Sequence, residues 1–223
     1  MDELFEQIAH CVEFGKIDEA SPYPPDMKGR QGADELTKQA IEKGANPEEI
    51  LKKGLVVGME KIGIKFRENK VFVPQVLMSA KAMSTAMEHL TPFFQSGDVK
   101  RKGVFVIGTV AGDLHDIGKN LVSMMVEGSD FEVVDLGTDV SAQKFIDAIN
   151  SHPGCFVGLS ALLTTTMANM EQIVREIKKA SPSTRVLIGG APVTSSFSKK
   201  IEADHYSPDP QGAVEYLNLM VEA

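Results

Sequence analysis

The chemistry-bearing residues of this chain concentrate in one run, Thr109-Val110-Ala111-Gly112-Asp113-Leu114-His115-Asp116-Ile117-Gly118-Lys119-Asn120. The run follows an apolar stretch and is too long and too polar for a simple connection. A phosphate loop needs four residues between a Gly and Gly-Lys-Ser/Thr. Here five separate Gly112 from Gly118, and Asn120 stands where the hydroxyl residue belongs. A GxGxxG dinucleotide fingerprint is also absent. His115-Asp116 could be half of a hydrolase metal site, but no HxxxH or second His-Asp pair supplies further ligands. His115 could also merely close a turn. The spacing Asp113-x-His115 ahead of Gly118 weighs against that. A histidine that ligates a metal through one ring nitrogen usually gives its other N–H to a carboxylate, which fixes the tautomer and raises ligand basicity. One ring nitrogen cannot hold a free ion, so a metal would have to arrive inside a macrocycle. A short loop bounded by glycines can aim an imidazole away from a sheet toward such a ligand.

The elements that position this loop follow from periodicity. Candidate strands are Val104–Ile107, Phe131–Asp135, Phe156–Leu159 and Val186–Ile188, with an edge strand around His205-Tyr206. They alternate with candidate helices near Gly118–Glu127, Ala142–Ser151, Met167–Ala180, Ser195–Glu202 and Ala213–Val221. That alternation predicts an α/β domain with a doubly wound, parallel, five-stranded sheet of flavodoxin-like, Rossmann type. Ligands of such sheets bind beyond the carboxyl ends of the strands, where the run begins. The first ninety-odd residues are helical instead. Leu4, Phe5, Ile8, Cys11 and Val12 make one amphipathic stripe, and Leu36, Ala40 and Ile41 a second. Asn46-Pro47-Glu48-Glu49 is a helix start, with Asn as cap and Pro at the first position. It opens a third stripe through Leu51, Leu55, Met59, Ile62 and Phe66, and a fourth begins near Val73-Pro74. Four helices with short connections predict a bundle. The expected organisation is a bundle over 1–94, a polar linker over 95–102 and the α/β domain over 103–223.

Composition narrows the function classes. The chain has 223 residues and a formal net charge of −8, which argues against nucleic acid or an anionic membrane as main partner. No apolar run approaches the roughly 20 residues of a membrane span. The opening MDELFEQIAH is acidic and amphipathic, unlike a secretory signal. Cys11 and Cys155 are too few and too far apart for a disulfide framework. A soluble, cytoplasmic protein is expected.

Asp113-Leu114-His115-Asp116-Ile117-Gly118 resembles the DxHxxG signature of cobalamin-binding domains. Two further blocks follow in family order: Ser160-Ala161-Leu162 resembles SxL, and Gly189-Gly190 closes the strand Val186–Ile188. Phe72-Val73-Pro74-Gln75-Val76 resembles a helix start in the bundle that precedes the cobalamin domain of methionine synthase and of corrinoid methyl-carrier proteins. The resemblance is most specific over 54–94 and 103–190. It implies cobalamin (methylcobalamin or a related corrinoid) bound base-off, its dimethylbenzimidazole displaced, with His115 as lower axial ligand to cobalt. Asp113 would accept from the other ring nitrogen and Thr166 would complete the relay. Gly112, Leu114, Asp116 and Gly118 would line the cofactor. Ser160, Leu162 and Thr164 would meet the displaced nucleotide tail, Gly189 and Gly190 would admit the ring closely, and the segment Tyr206-Ser207-Pro208-Asp209-Pro210, through Tyr206 and Asp209, would touch the tail. His205 stands where the family usually has a small residue. Phe72, Leu77 and Met78 would shield the upper face, although bundle core is the stronger reading for at least one of Leu77 and Met78.

The resemblance also implies a function in one-carbon metabolism: a methyl carrier, not catalytic alone. A substrate-specific methyltransferase for methanol, methylamine or aryl methyl ethers would load the cobalt. A second methyltransferase would pass the methyl group to tetrahydrofolate or coenzyme M, and a reductive activase would rescue oxidised cobalt. His115 would leave cobalt(I) and rebind methylcobalt(III), exchanging a proton with the Asp113 relay. Rival readings are the cobalamin subunit of an adenosylcobalamin-dependent mutase, a cobalamin-dependent sensor or regulator, and a flavodoxin-like interaction module without a corrin. Such a sensor relies on a bundle Trp and a DNA-binding head; this chain has no Trp and is acidic.

Overall fold

The computed structural model describes residues 1–97 and 99–222. The chain divides into two compact units, Met1–Lys100 with Gly128–Asp130, and Arg101–Glu127 with Phe131–Ala223. Asp98, within the expected 95–102 linker, and Ala223, at the end of the expected second domain, lie outside the described residues.

The first unit is built from helices whose starts are written in capping residues. α1 spans Asp2–Phe14 and buries its whole apolar stripe, Leu4, Phe5, Ile8, Cys11 and Val12. α2 spans Ala33–Glu42; the Glu35 carboxylate accepts from the Gly32 N–H at 2.8 Å and the Glu19 N–H at 2.9 Å. α3 spans Pro47–Glu49, and Asn46 Oδ1 accepts from the Glu48 N–H at 2.8 Å. It runs through a π turn, Ile50–Leu55, into α4, Val56–Arg67. α5 spans Val73–Glu88, with Gln75 Oε1 accepting from the Phe72 N–H at 2.7 Å. A short α6, Thr91–Ser96, follows and takes up the first two residues of the expected linker. α1 packs against α2, α4 and α5, as a bundle requires. Its approach to α4 is close because that helix presents glycine: a Cβ on Gly58 would stand 2.6 Å from both the Ala9 carbonyl oxygen and Val12 Cβ.

The second unit carries the sheet: β1 Val104–Thr109, α7 Ile117–Glu127, β2 Glu132–Asp135, α8 Ala142–Ser151, β3 Phe156–Ser160, a 3-10 turn Thr164–Thr166, α9 Met167–Ala180, β4 Val186–Gly189, α10 Ser195–Lys200, β5 His205–Ser207 and α11 Pro210–Glu222. Among the described residues the sheet has five strands, all parallel, in the order β2-β1-β3-β4-β5. The order reverses between β1 and β3, so the ligand crevice of such a sheet opens where these two strands end. One face packs Val106, Val157, Leu159, Val186 and Ile188 against Phe145 and Ile149 of α8 and Ile173, Val174 and Ile177 of α9. On the other face α7 and α11 pack together and against β1, β2 and β5. α11 begins three residues earlier than its apolar pattern predicts. Asp209-Pro210 is itself a cap and first-position pair, and Asp209 Oδ1 accepts from the Gly212 N–H at 2.8 Å. No described helix is long and apolar enough to cross a membrane.

Gly58→Ala tests the α1–α4 packing. Forcing a methyl group against backbone should cost about 1–3 kcal/mol. A urea melt followed by helical circular dichroism should show a lowered midpoint; an unmoved midpoint would mean the two helices do not meet at Gly58.

Candidate functional site

The chain leaves β1 after Thr109 and makes a turn fixed at several points. The Asp113 N–H donates to the Val110 carbonyl at 3.1 Å and the Asp139 N–H to the Asp113 carbonyl at 3.0 Å. The Gly112 N–H donates to Asp139 Oδ1 at 2.7 Å, and the Asn169 side-chain amide to the Ala111 carbonyl at 2.7 Å. The Thr109 hydroxyl donates to the His115 carbonyl at 2.9 Å. Held this way, the Asp113 carboxylate is wholly buried and the His115 ring is 51% exposed.

Asp113 is the hub. Its Oδ1 accepts from the His115 backbone N–H at 3.1 Å and lies 2.7 Å from His115 Nδ1. Its Oδ2 accepts from the Leu162 N–H at 2.8 Å and the Leu163 N–H at 3.2 Å, and the Thr166 hydroxyl lies 2.8 Å away. That hydroxyl is also 2.9 Å from the Leu163 carbonyl, and its one hydrogen serves one acceptor at a time. Burial pushes the Asp113 carboxyl up, but the bonds from the His115 ring, the Leu162 and His115 N–H groups and Thr166 together outweigh it and hold the group well below the usual carboxylate range. An ionised carboxylate only accepts, so Nδ1 carries the hydrogen and donates. In the neutral ring Nε2 is then the unprotonated nitrogen, free to ligate. Among the described residues no group of three or more His, Cys, Asp or Glu side chains could hold a metal ion. His115 therefore offers a single ligating nitrogen.

Around the imidazole the surface is apolar. Leu114 is 73% and Ile117 74% exposed, and Leu162 and Leu163 are exposed as well. Large apolar side chains grouped this way mark a binding surface. Beside them the strand ends form a floor of small residues. Register sets Thr109 beside Ser160, Ser160 beside Gly189 and Gly189 beside Ser207, all on the face covered by α7 and α11. The next row on that face includes Gly158. Such a floor leaves room for a slender chain between sheet and helices. Gly190, at φ 127°, turns the chain away from β4; a Cβ there would stand 1.9 Å from the Ala161 carbonyl oxygen. Ser207 Oγ and Gln211 Oε1 are buried at this corner without a hydrogen-bond partner. A half-exposed imidazole on an apolar rim, beside a small-residue groove with unpartnered polar atoms, fits a large planar ring with a polar tail.

The structure brings Asp113, His115, Ser160, Leu162, Thr166, Gly189 and Gly190 to one end of the sheet. Asp116 accepts from the Asn120 side chain at 3.1 Å and starts α7, and Gly118 has open space beside it. Thr164 is exposed in the 3-10 turn. Tyr206 projects instead into the cluster on the opposite face, because side chains alternate along β5; Ser207 occupies the groove side. Asp209 is engaged in capping α11. In the helical unit, Phe72 and Leu77 are exposed, and Met78 packs over Gly15. Sequence reasoning missed Thr109, Asp139, Asn169, Ile117, Leu163 and Gln211 as site residues, and placed Ser207 only within the segment 206–210. Lys119, an apparent phosphate-loop lysine, is buried and bonds to the Asp135 carboxylate and to Asn120 Oδ1, tying α7 to the end of β2.

The depressed Asp113 carboxyl makes a signed prediction. A group whose folded pKa lies below its unfolded value stabilises the fold above the unfolded value, about 4. That stabilisation is lost as pH falls from there toward the folded value. Asp113→Asn should cost about 2 kcal/mol at neutral pH, from lost charge-assisted bonds. It should also flatten the acid limb of stability against pH. An unchanged acid limb in urea melts would show that Asp113 is not the acid-sensitive hub.

The chain matches the B12 binding domain family over residues 103–214 and a second family described as a B12 binding domain over residues 29–91. It is 40% identical over 181 residues to a dimethylamine corrinoid protein of Methanosarcina acetivorans, covering 79% of this chain and 85% of that one. It is 39% identical over 186 residues to a trimethylamine corrinoid protein of Methanosarcina mazei, covering 82% and 85%. Among solved structures, the methanol:cobalamin methyltransferase complex MtaBC of Methanosarcina barkeri aligns with a TM-score of 0.82 at 28% identity, over 100% of this chain and 81% of that one. This chain belongs to the corrinoid proteins that join these two B12-binding domains.

Proposed function

We propose that this chain is the methyl-carrying corrinoid protein of a methylamine methyltransferase system, binding its cofactor base-off through His115. The observation that carries the reading is the buried Asp113 carboxylate 2.7 Å from His115 Nδ1, which leaves Nε2 as the ring nitrogen available on an exposed apolar rim. The corrinoid, when bound, supplies a cobalt that can take up and give away a methyl group. Every other part of the work falls to the chain. Leu114, Ile117, Leu162 and Leu163 exclude water from the lower face of the ring. Gly112 and Gly118 allow close approach, and the groove over Ser160, Gly189 and Ser207 receives the displaced tail.

Proton placement follows from the hub. When Nε2 is not ligating, it is free to take a proton, and the resulting imidazolium faces the Asp113 carboxylate at 2.7 Å. Thr166 and the backbone N–H groups of His115, Leu162 and Leu163 keep that carboxylate ionised while it supports the charge. Ligation and protonation of Nε2 thus exclude each other, which ties proton uptake to the state of the metal. The methylamine class is supported by the dimethylamine and trimethylamine systems named for its relatives. The reading implies a methylamine-specific methyltransferase, a second methyltransferase acting on coenzyme M or tetrahydrofolate, and a reductive activase.

Reconstitution with methylcobalamin tests the reading. The wild-type protein should turn red, with the spectrum of a nitrogen-ligated corrinoid. His115→Ala should give a spectrum lacking an axial nitrogen and lose most methyl-carrying activity. Asp113→Asn should retain colour while weakening cofactor affinity about 10–100-fold. A His115→Ala holoprotein whose spectrum matches wild type would contradict the assignment.

A further inference from the structure

Lys119 is a buried charge to which the proposed function gives no task. Its side chain is 2% exposed, yet it stands in the first turn of α7, where the helix dipole disfavours a cation. Burial disfavours the charge as well, and a buried ion pair is seldom a net gain in stability. Its bonds show what it holds instead. On one side the ammonium donates to Asn120 Oδ1 at 2.6 Å, and the Asn120 side-chain nitrogen donates in turn to Asp116 Oδ2 at 3.1 Å. Asp116 follows His115 directly. On the other side the ammonium pairs with Asp135 Oδ2 at the end of β2. Asp135 Oδ1 accepts from the Gly137 N–H at 2.8 Å, and the Gly137 carbonyl accepts from the Thr109 N–H at 2.9 Å. Two residues on, Asp139 accepts from the Gly112 N–H and gives its own N–H to the Asp113 carbonyl.

Resting on the corrinoid reading above, we propose that Lys119 is a positioning residue for the cobalt ligand: its buried ammonium clasps the two segments that hold the His115 loop and so sets how firmly His115 grips the metal. The loop lies between two anchors. One is α7, into which it runs, and the other is the segment 135–139, which binds Thr109, Gly112 and Asp113. Lys119 is bonded to both. Any give in these anchors is subtracted from the bond that the imidazole can make, and outer groups that fix a ligand commonly change metal affinity about 10–100-fold. Lys119 works through Asn120 and Asp135, so it acts on the imidazole without touching it. A methionine in its place fills similar room but joins neither anchor. It also leaves Asp135, 38% exposed, free to be hydrated rather than stranded. The loop then keeps its Asp113–His115 bond and loses its fixed seat.

The test uses the full-length chain. In holoprotein loaded with a cyanide-ligated cobalt(III) corrinoid, a second cyanide enters only by displacing His115. The cyanide concentration at half conversion, read from the visible spectrum, therefore reports the strength of ligation. Lys119→Met should lower that midpoint about 10-fold. In the cofactor-free chain, hydrogen exchange should quicken at the Thr109, Gly112 and Gly137 amides by a larger factor than at Val157 in β3. A lysine that merely stabilised the fold would quicken all four alike. Adding Asp135→Asn, which retains the oxygen facing Gly137, should lower the midpoint no further, because the clasp is already open. An unmoved midpoint, equal quickening at the four amides, or a further fall in the double variant would overturn the proposal and leave the corrinoid reading standing. A wild-type midpoint equal to that of His115→Ala would overturn both.

Discussion

The second unit is organised around a buried negative charge. A carboxylate removed from water is costly unless its lone pairs are filled. Asp113 is tolerated because donors from two strand ends converge on it: the His115 ring and N–H from the segment after β1, and Leu162, Leu163 and Thr166 from the segment after β3. Stability and function therefore share one set of bonds. The groups that make the charge bearable also fix the imidazole tautomer and aim its second nitrogen outward. A change that loosens any one of them acts on loop geometry and on the imidazole together.

The sheet topology explains why this constellation can exist. β1 and β3 are neighbours although β2 intervenes in sequence, so the segments leaving them diverge over one crevice. Helices α8 and α9 fill one face with a continuous apolar cluster. The other face is covered by α7 and α11, and across it the row Thr109, Ser160, Gly189 and Ser207 keeps side chains short. Apolar burial on one face supplies rigidity, while the missing bulk on the other supplies space. The imidazole and the groove are thus two consequences of the same reversal in strand order.

Much of this was legible in the residues. The strand and helix alternation, the cap at Asn46-Pro47 and the Asp113–His115 pairing all act locally, so each leaves a local signature. Thr166 was legible only through a resemblance, because its bond to Asp113 spans fifty-three positions. Asp139 and Asn169 went unseen for the same reason: both bind backbone groups of the loop, and backbone acceptors have no residue identity to pair with. The π turn at Ile50–Leu55 was hidden because apolar residues at 51, 55, 59 and 62 fit an ordinary helix equally well. The resemblance assigned the segment 206–210 to the tail without separating its faces; alternation along β5 sets Tyr206 against the cluster of α8 and α9 and Ser207 on the other side. Adjacent acids likewise do not announce their partners: Glu35 caps α2, whereas Asp34 Oδ1 lies 2.5 Å from His89 Nε2.

The central claim is that the nitrogen beneath the metal belongs to the protein. Electron paramagnetic resonance of the holoprotein with paramagnetic cobalt(II) addresses it directly, using protein labelled with nitrogen-15 histidine and an unlabelled corrinoid. An axial nitrogen-14 splits each high-field cobalt line into three, and nitrogen-15 splits it into two. Doublets are the result predicted here. Triplets, which would mean that the unlabelled base still holds the metal, or lines without nitrogen splitting, would contradict the account.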